Sequence, residues 1–166
     1  MYQTYPIYIP SVRYAKENNE LALWRESYKI NQECRDYINS ESSMAYHERR
    51  LPEFIKELTG TFGLERSMFV IARFIAAADW DGRYYSEVKN RAAQFDFQDM
   101  KEGKALYEAG KDPHRTADHT IHLYSNVHPC ILNDIFRSLM KMEQDQTDLR
   151  QADNLRDNAL DEGAEI

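Results

Sequence analysis

The sequence predicts a single compact all-α domain built round one buried helix, with an extended N-terminal arm and an acidic C-terminal tail. Three observations predict it. Residues Leu64 to Ala78 contain Met68, Phe69, Val70, Ile71, Phe74 and Ile75, apolar on nearly every side of a helix, the mark of a helix enclosed by others. Glycine and proline are few, 6 and 5 in 166 residues. Elsewhere apolar residues recur at helical spacing, and alternating strand patterns are hard to find. A chain of this length fits one domain and buries about 70% of its unfolded surface.

The elements follow in order. Residues 2–10 read as an extended arm, because Pro6 and Pro10 push the residues before them away from helix. Its tyrosines and isoleucines should pack on the core of the same domain, with a partner as the other possibility. Ser11 is placed to cap a short helix over Val12 to Glu17, and Asn18-Asn19 breaks it. A long helix is expected from about Glu20 to Ser40, with Leu21, Trp24, Tyr28, Cys34 and Ile38 near one stripe. A third is expected over Met44 to Thr59, reset at Pro52, with Gly60 and Gly63 ending it. Ser86 is read as the cap of a helix over Glu87 to Phe95, and residues 96–110 as partly helical. Gly110 to Pro113 reads as a turn, and residues 114–128 as a short strand or irregular chain. Pro129 begins a strong helix with Ile131, Leu132, Ile135, Phe136, Leu139 and Met140 on its buried face. The pattern weakens from Gln144, so 1–142 form the helical domain and 143–166 an acidic helical extension or flexible tail.

Charge divides the same way. Residues 1–142 hold 20 acidic and 19 basic side chains, net −1; residues 143–166 hold 8 and 2, net −6, and together they make the chain's −7. A balanced body has no broad footprint for nucleic acid, so direct binding of it is not expected. An acidic tail suits solvation or a basic partner. Cys34 and Cys130 stand far apart in no ligand or redox spacing, as in a reducing cytoplasm, and buried inert thiols are expected. The start has no signal-peptide pattern, and the apolar run interrupted by Arg73 is too short to cross a membrane.

No motif specifies a reaction, and no cofactor is expected. His114, His119, His122 and His128 cluster in sequence beside Asp118, but without a metal-site signature, so half-buried polar roles are the reading taken over metal ligation. Asp79-Trp80-Asp81-Gly82 resembles the opening of a calcium loop, yet lacks the later ligands. It reads better as a helix-ending turn, with Gly82 supplying positive φ and Arg83 binding open carbonyls or a carboxylate such as Asp79. The eleven tyrosines and two tryptophans are the remaining signal, because such side chains suit partner interfaces. The partner-binding candidates are therefore Trp80, Asp81, Arg83, Tyr84 and Tyr85 in the turn, Tyr5 and Tyr8 in the arm, and Trp24 and Arg25 on the long helix.

Three blocks carry a resemblance to a known family. The first is Tyr8, Ser11, Tyr14-Ala15, Glu17-Asn18, Glu20-Leu21, Trp24 to Ser27, Asn31 and Cys34; the second is Gly63 to Arg66 with Val70 and Ala72; the third is Asp81 to Tyr84, Ser86, Asn90 and Ala92. Together they resemble an uncharacterised domain family of conjugative elements and prophages in gut anaerobes. The resemblance covers about residues 5–95 and carries no catalytic residues. It implies an accessory protein of a mobile element, a class that includes inhibitors of host defence such as anti-CRISPR proteins. The leading expectation is a non-enzymatic protein that binds a host defence nuclease, most concretely a Cas effector or its guide complex. The other expectations are a scaffold or regulatory module in conjugation or replication, and an enzyme using Asp79, Asp81, Arg83 and the histidines.

Overall fold

In the computed structural model, residues 5–8, 12–96 and 123–164 are described. They form six α-helices and one 3-10 turn, with no strand among the described residues. The helices are α1 (Val12–Glu17), α2 (Leu21–His47), α3 (Leu51–Phe62), α4 (Leu64–Ala77), α5 (Ser86–Ala93) and α6 (Pro129–Ala164), with the 3-10 turn at Gln94–Asp96. The expected all-α architecture holds.

α4 is the centre. All ten residues from Arg66 to Ile75 are buried, because α2, α3, α5 and α6 pack around it. A helix enclosed this completely needs apolar residues on every face, and its sequence supplies them. The surrounding helices bury one stripe each. On α2 this is Ser27, Ile30, Asn31, Cys34, Ile38, Ser42 and Ala45, spaced three or four apart except for the adjacent Ile30 and Asn31. On α6 it is Ile131, Leu132, Ile135, Phe136 and Leu139.

The breaks between helices have local causes. The side-chain amide and the backbone N–H of Asn18 both donate to the carbonyl of Tyr14, and Asn19 takes φ 57°, the left-handed conformation that asparagine tolerates. Gly63 sits at φ 86°, ψ 156°, a region essentially reserved for glycine, so α3 and α4 meet there at a sharp corner. Other boundaries differ from those expected. α2 runs on to His47, since no breaker stands at Met44 and the chain reverses only where Arg49 takes φ 57°; Pro52 lies in the first turn of α3. Gly60 is inside α3 rather than at its end. Ser86 is the first residue of α5, and the capping position falls on Tyr85. α6 continues unbroken through the acidic region to Ala164. Ser11 and the segment around residues 97–122 lie outside the described residues.

The arm packs on its own domain. Ile7 and Tyr8 are buried while Tyr5 is exposed. Its anchor is Arg66, only 2% exposed within the core. The guanidinium donates from Nε to Asn31 Oδ1 (2.9 Å), from Nη1 to the Tyr5 carbonyl (3.3 Å), and from Nη2 to the Pro6 carbonyl (2.8 Å) and Ser27 Oγ (3.2 Å). The Tyr8 backbone N–H donates to the same Ser27 hydroxyl at 2.8 Å. Burial pushes the Arg66 pKa down to about 10, against the opposing pull of Cys34 and Glu26, so the group stays charged at neutral pH. A buried cation needs its donors satisfied; here neutral oxygens of the arm and α2 do it.

Candidate functional site

The turn between α4 and α5 is an organised structure. Asp81 is buried against it, and its carboxylate accepts four bonds from Arg83: Oδ1 from the backbone N–H (3.0 Å) and from Nε (3.0 Å), Oδ2 from Nη2 (2.8 Å) and, more weakly, from Nε (3.3 Å). This fork is the strong geometry for an arginine–carboxylate pair. From the opposite side, Asn133 on α6, fully buried, donates Nδ2 to the Arg83 carbonyl (3.0 Å), and its Oδ1 accepts from the Tyr85 N–H (3.1 Å). Asn133 thus closes the turn onto a helix some fifty residues away. Lys89 Nζ donates to the Asp79 carbonyl at 3.0 Å.

Two features of this turn differ from the expectation. Arg83 pairs with Asp81 and not with Asp79. Gly82 does not adopt positive φ, and a Cβ there would meet nothing within 4 Å; the reversal comes from the Asp81–Arg83 fork instead.

The Arg83 side-chain and backbone hydrogen bonds hold the Asp81 carboxyl well below its usual 3.8, at about 2. A depressed folded-state pKa gives a stabilisation that is present above the ordinary carboxylate pKa and is lost as pH falls through the folded value. Wild type should therefore melt above Asp81→Asn near neutrality, and the gap should close between about pH 4 and pH 2. Melting temperatures of both proteins across that range check this; a gap that does not change with pH would remove the ion pair from the explanation.

The candidates named from sequence separate into surface and support. Trp80 is 79% exposed, the most open large hydrophobic side chain among the described residues. Tyr85 lies beside α6, with the Arg137 guanidinium 4.0 Å above its ring, and Arg137 in turn pairs with Glu87. The Arg83 side chain is more than half exposed. Asp81 and Tyr84 lie beneath and are buried, and desolvation, then the Asp81 charge, pushes the Tyr84 pKa to about 12. Tyr84 therefore supports the turn and offers no face to a partner. The same correction applies to Tyr8, buried at 2%. Tyr5 and Arg25 are exposed. Trp24 is half-buried, stacked on Tyr28 with ring centroids 5.0 Å apart.

Among the described residues no three His, Cys, Asp or Glu side chains are placed to hold a metal ion. His128 is exposed and its Nδ1 accepts the Cys130 N–H at 3.1 Å; His114, Asp118, His119 and His122 lie outside the described residues. Cys34 is buried, and burial pushes its thiol pKa up. Cys130 is exposed, which corrects the expectation of two buried thiols. No described helix is long and apolar enough to cross a membrane.

Sequence reasoning passed over two residues that organise these regions. Asn133 and Arg66 are polar residues on apolar helices. Only their partners, Tyr85 for the first and Tyr5 and Pro6 for the second, explain them.

Fold and turn together define an all-α domain that carries a braced, aromatic-tipped surface loop. The chain matches the family described as "Protein of unknown function (DUF3849)" over residues 7–140 and belongs to it. Comparisons with the curated proteins and with the solved structures returned no match.

Proposed function

We propose that this chain is a non-enzymatic protein-binding module that contacts its partner through Trp80, Tyr85 and the exposed side of Arg83. One observation carries the reading: a tryptophan 79% exposed at the tip of a turn held on both sides, by Asp81–Arg83 and by Asn133. Exposing so large an apolar ring is unfavourable in water. A rigid mount removes the ordering cost that a mobile tryptophan would bring to binding. Arginine and aromatic side chains are also the types that dominate binding energy at interfaces.

The resemblance to families of mobile elements makes the partner most concretely a host defence nuclease, with a Cas effector as the first example and inhibition as the outcome. Trp80→Ala tests the surface. It should weaken partner binding by at least 2 kcal/mol, about thirtyfold, while the melting temperature stays within about 2 °C of wild type. The measurement is capture by the tagged protein from a CRISPR-carrying host, then titration of the recovered nuclease and a cleavage assay with both proteins. Recovery of conjugation or replication proteins would instead support a scaffold role within the element. Equal binding by Trp80→Ala would remove this surface from the interaction.

A further inference from the structure

A second surface lies at the far end of α6. Among the described residues, the last side chain that ties this helix to the body is Glu143, held by Arg91 at 3.0 and 2.5 Å. Every residue from Gln144 to Ala159 is exposed, including Leu149 at 64% and Leu155 at 70%. The helix continues to Ala164, so it extends about 30 Å beyond its last anchor.

A helix in a protein draws most of its stability from packing one face on other elements; residues 144–159 lack that packing, and this stretch is electrostatically unfavourable as well. Residues 144–164 carry six acidic side chains (Asp145, Asp148, Asp153, Asp157, Asp161, Glu162) and two basic ones (Arg150, Arg156), net −4. Asp153 and Asp157 repel at i, i+4. Acidic residues crowd the C-terminal end, where the helix dipole favours cations. Leu149, Ala152, Leu155 and Ala159 fall on one broad side of this helix, a side that also carries Asp145, Asp148 and Arg156, with Asp153 and Asp157 along its edge. A partner that covers them and brings positive charge relieves all three costs at once.

We propose that this extension is a docking arm for a basic, apolar-striped segment of a partner protein. Leu149 and Leu155 are buried in that contact, and the aspartates among them (Asp145, Asp148) and at the edge (Asp153, Asp157) face lysine or arginine. A second copy of this chain is the poorer occupant. It would bring −4 against −4, and a strip about 30 Å long and about 10 Å wide offers about 300 Å² per partner, against the ~800 Å² of a stable interface. Opposite charge must supply what area does not. The proposal is independent of the Trp80 surface, which could fail without affecting it.

The test uses the full chain and a synthetic 22-residue Lys/Leu peptide patterned at helical spacing, with a Glu/Leu peptide as control. Amide hydrogen exchange over residues 144–159 should slow at least tenfold with the Lys/Leu peptide, not with the control, and the effect should weaken steeply with salt. L149Q/L155Q, which keeps helix propensity, should weaken affinity for the probe about tenfold, as should D148N/D153N/D157N. Three results overturn the proposal: no slowing; slowing that L149Q/L155Q leaves unchanged, which is bulk charge attraction alone; or a dimer in sedimentation equilibrium that L149Q/L155Q abolishes.

Discussion

Replacing Phe74 by alanine should lower the unfolding free energy by about 3–5 kcal/mol. Phe74 is buried on α4, the helix enclosed by four others, so the space left by the ring cannot be closed by moving one neighbour. In a domain of this size that loss corresponds to a melting temperature roughly 6–20 °C lower. Urea denaturation of wild type and variant measures it, and a loss below about 1 kcal/mol would place Phe74 outside the core. Trp80→Ala provides the contrast. It removes a larger ring from an exposed position and should move stability by no more than about 0.5 kcal/mol. The two truncations separate the residues that hold the fold from the one assigned to binding.

Arg66→Met should cost about 3 kcal/mol. Removing a buried charge relieves its desolvation, and where all partners are replaced together that relief can balance the loss. Here the partners remain. Asn31 Oδ1, Ser27 Oγ and the carbonyls of Tyr5 and Pro6 all lose a donor; Ser27 Oγ keeps the Tyr8 N–H and the two carbonyls are only part-buried, so the largest part of the loss, about 1–3 kcal/mol, falls on the buried Asn31 Oδ1. Arg66→Lys should restore little, because one compact ammonium cannot span the positions that the planar guanidinium reaches. The arm should loosen at the same time, seen as faster hydrogen exchange at the Tyr8 amide, which now donates to Ser27. An Arg66→Met protein as stable as wild type would show that the core accepts an apolar side chain there and that the arm is held by Ile7 and Tyr8 packing alone.

The enclosed helix was readable because composition reports burial directly: no solvated helix carries Met68 to Ile71 and Phe74-Ile75 on all its sides. The stripe on α6 was readable for the same reason; on α2 only Cys34 and Ile38 of the expected stripe are buried, Leu21, Trp24 and Tyr28 being half-buried, because the buried face there includes the polar Ser27, Asn31 and Ser42 that composition does not mark. The ends of helices were less so. Met44 and Ala45 continue α2 because nothing in the sequence stops a helix there, and Arg49 adopts positive φ without being a residue type that signals it. Glycine misled in both directions: Gly63 requires its freedom, whereas Gly60 and Gly82 do not. The turn at 79–86 was recognisable as organised, but its internal pairing was not. Asp79 and Asp81 are equally spaced choices around Trp80 on paper, and Asn133, which braces the turn, lies some fifty residues away. Arg73 read only as an interruption of an apolar run and Arg66 drew no structural role, since sequence alone cannot tell a buried guanidinium from a solvated one.

The enclosure of α4 also orders the events of folding. Helices α2 to α5 are contiguous in the chain and can pair through short connections, contacts that form quickly. The last wall around α4 comes from Ile131, Leu132, Ile135, Phe136 and Leu139, more than fifty residues further along. During synthesis at roughly 5–20 residues per second, the apolar face awaiting that wall stays open for several seconds after α4 itself has emerged. The protein is therefore most vulnerable to aggregation before α6 arrives. Substitutions on the buried stripe of α6 should then reduce the yield of soluble protein more than their effect on the finished fold would suggest.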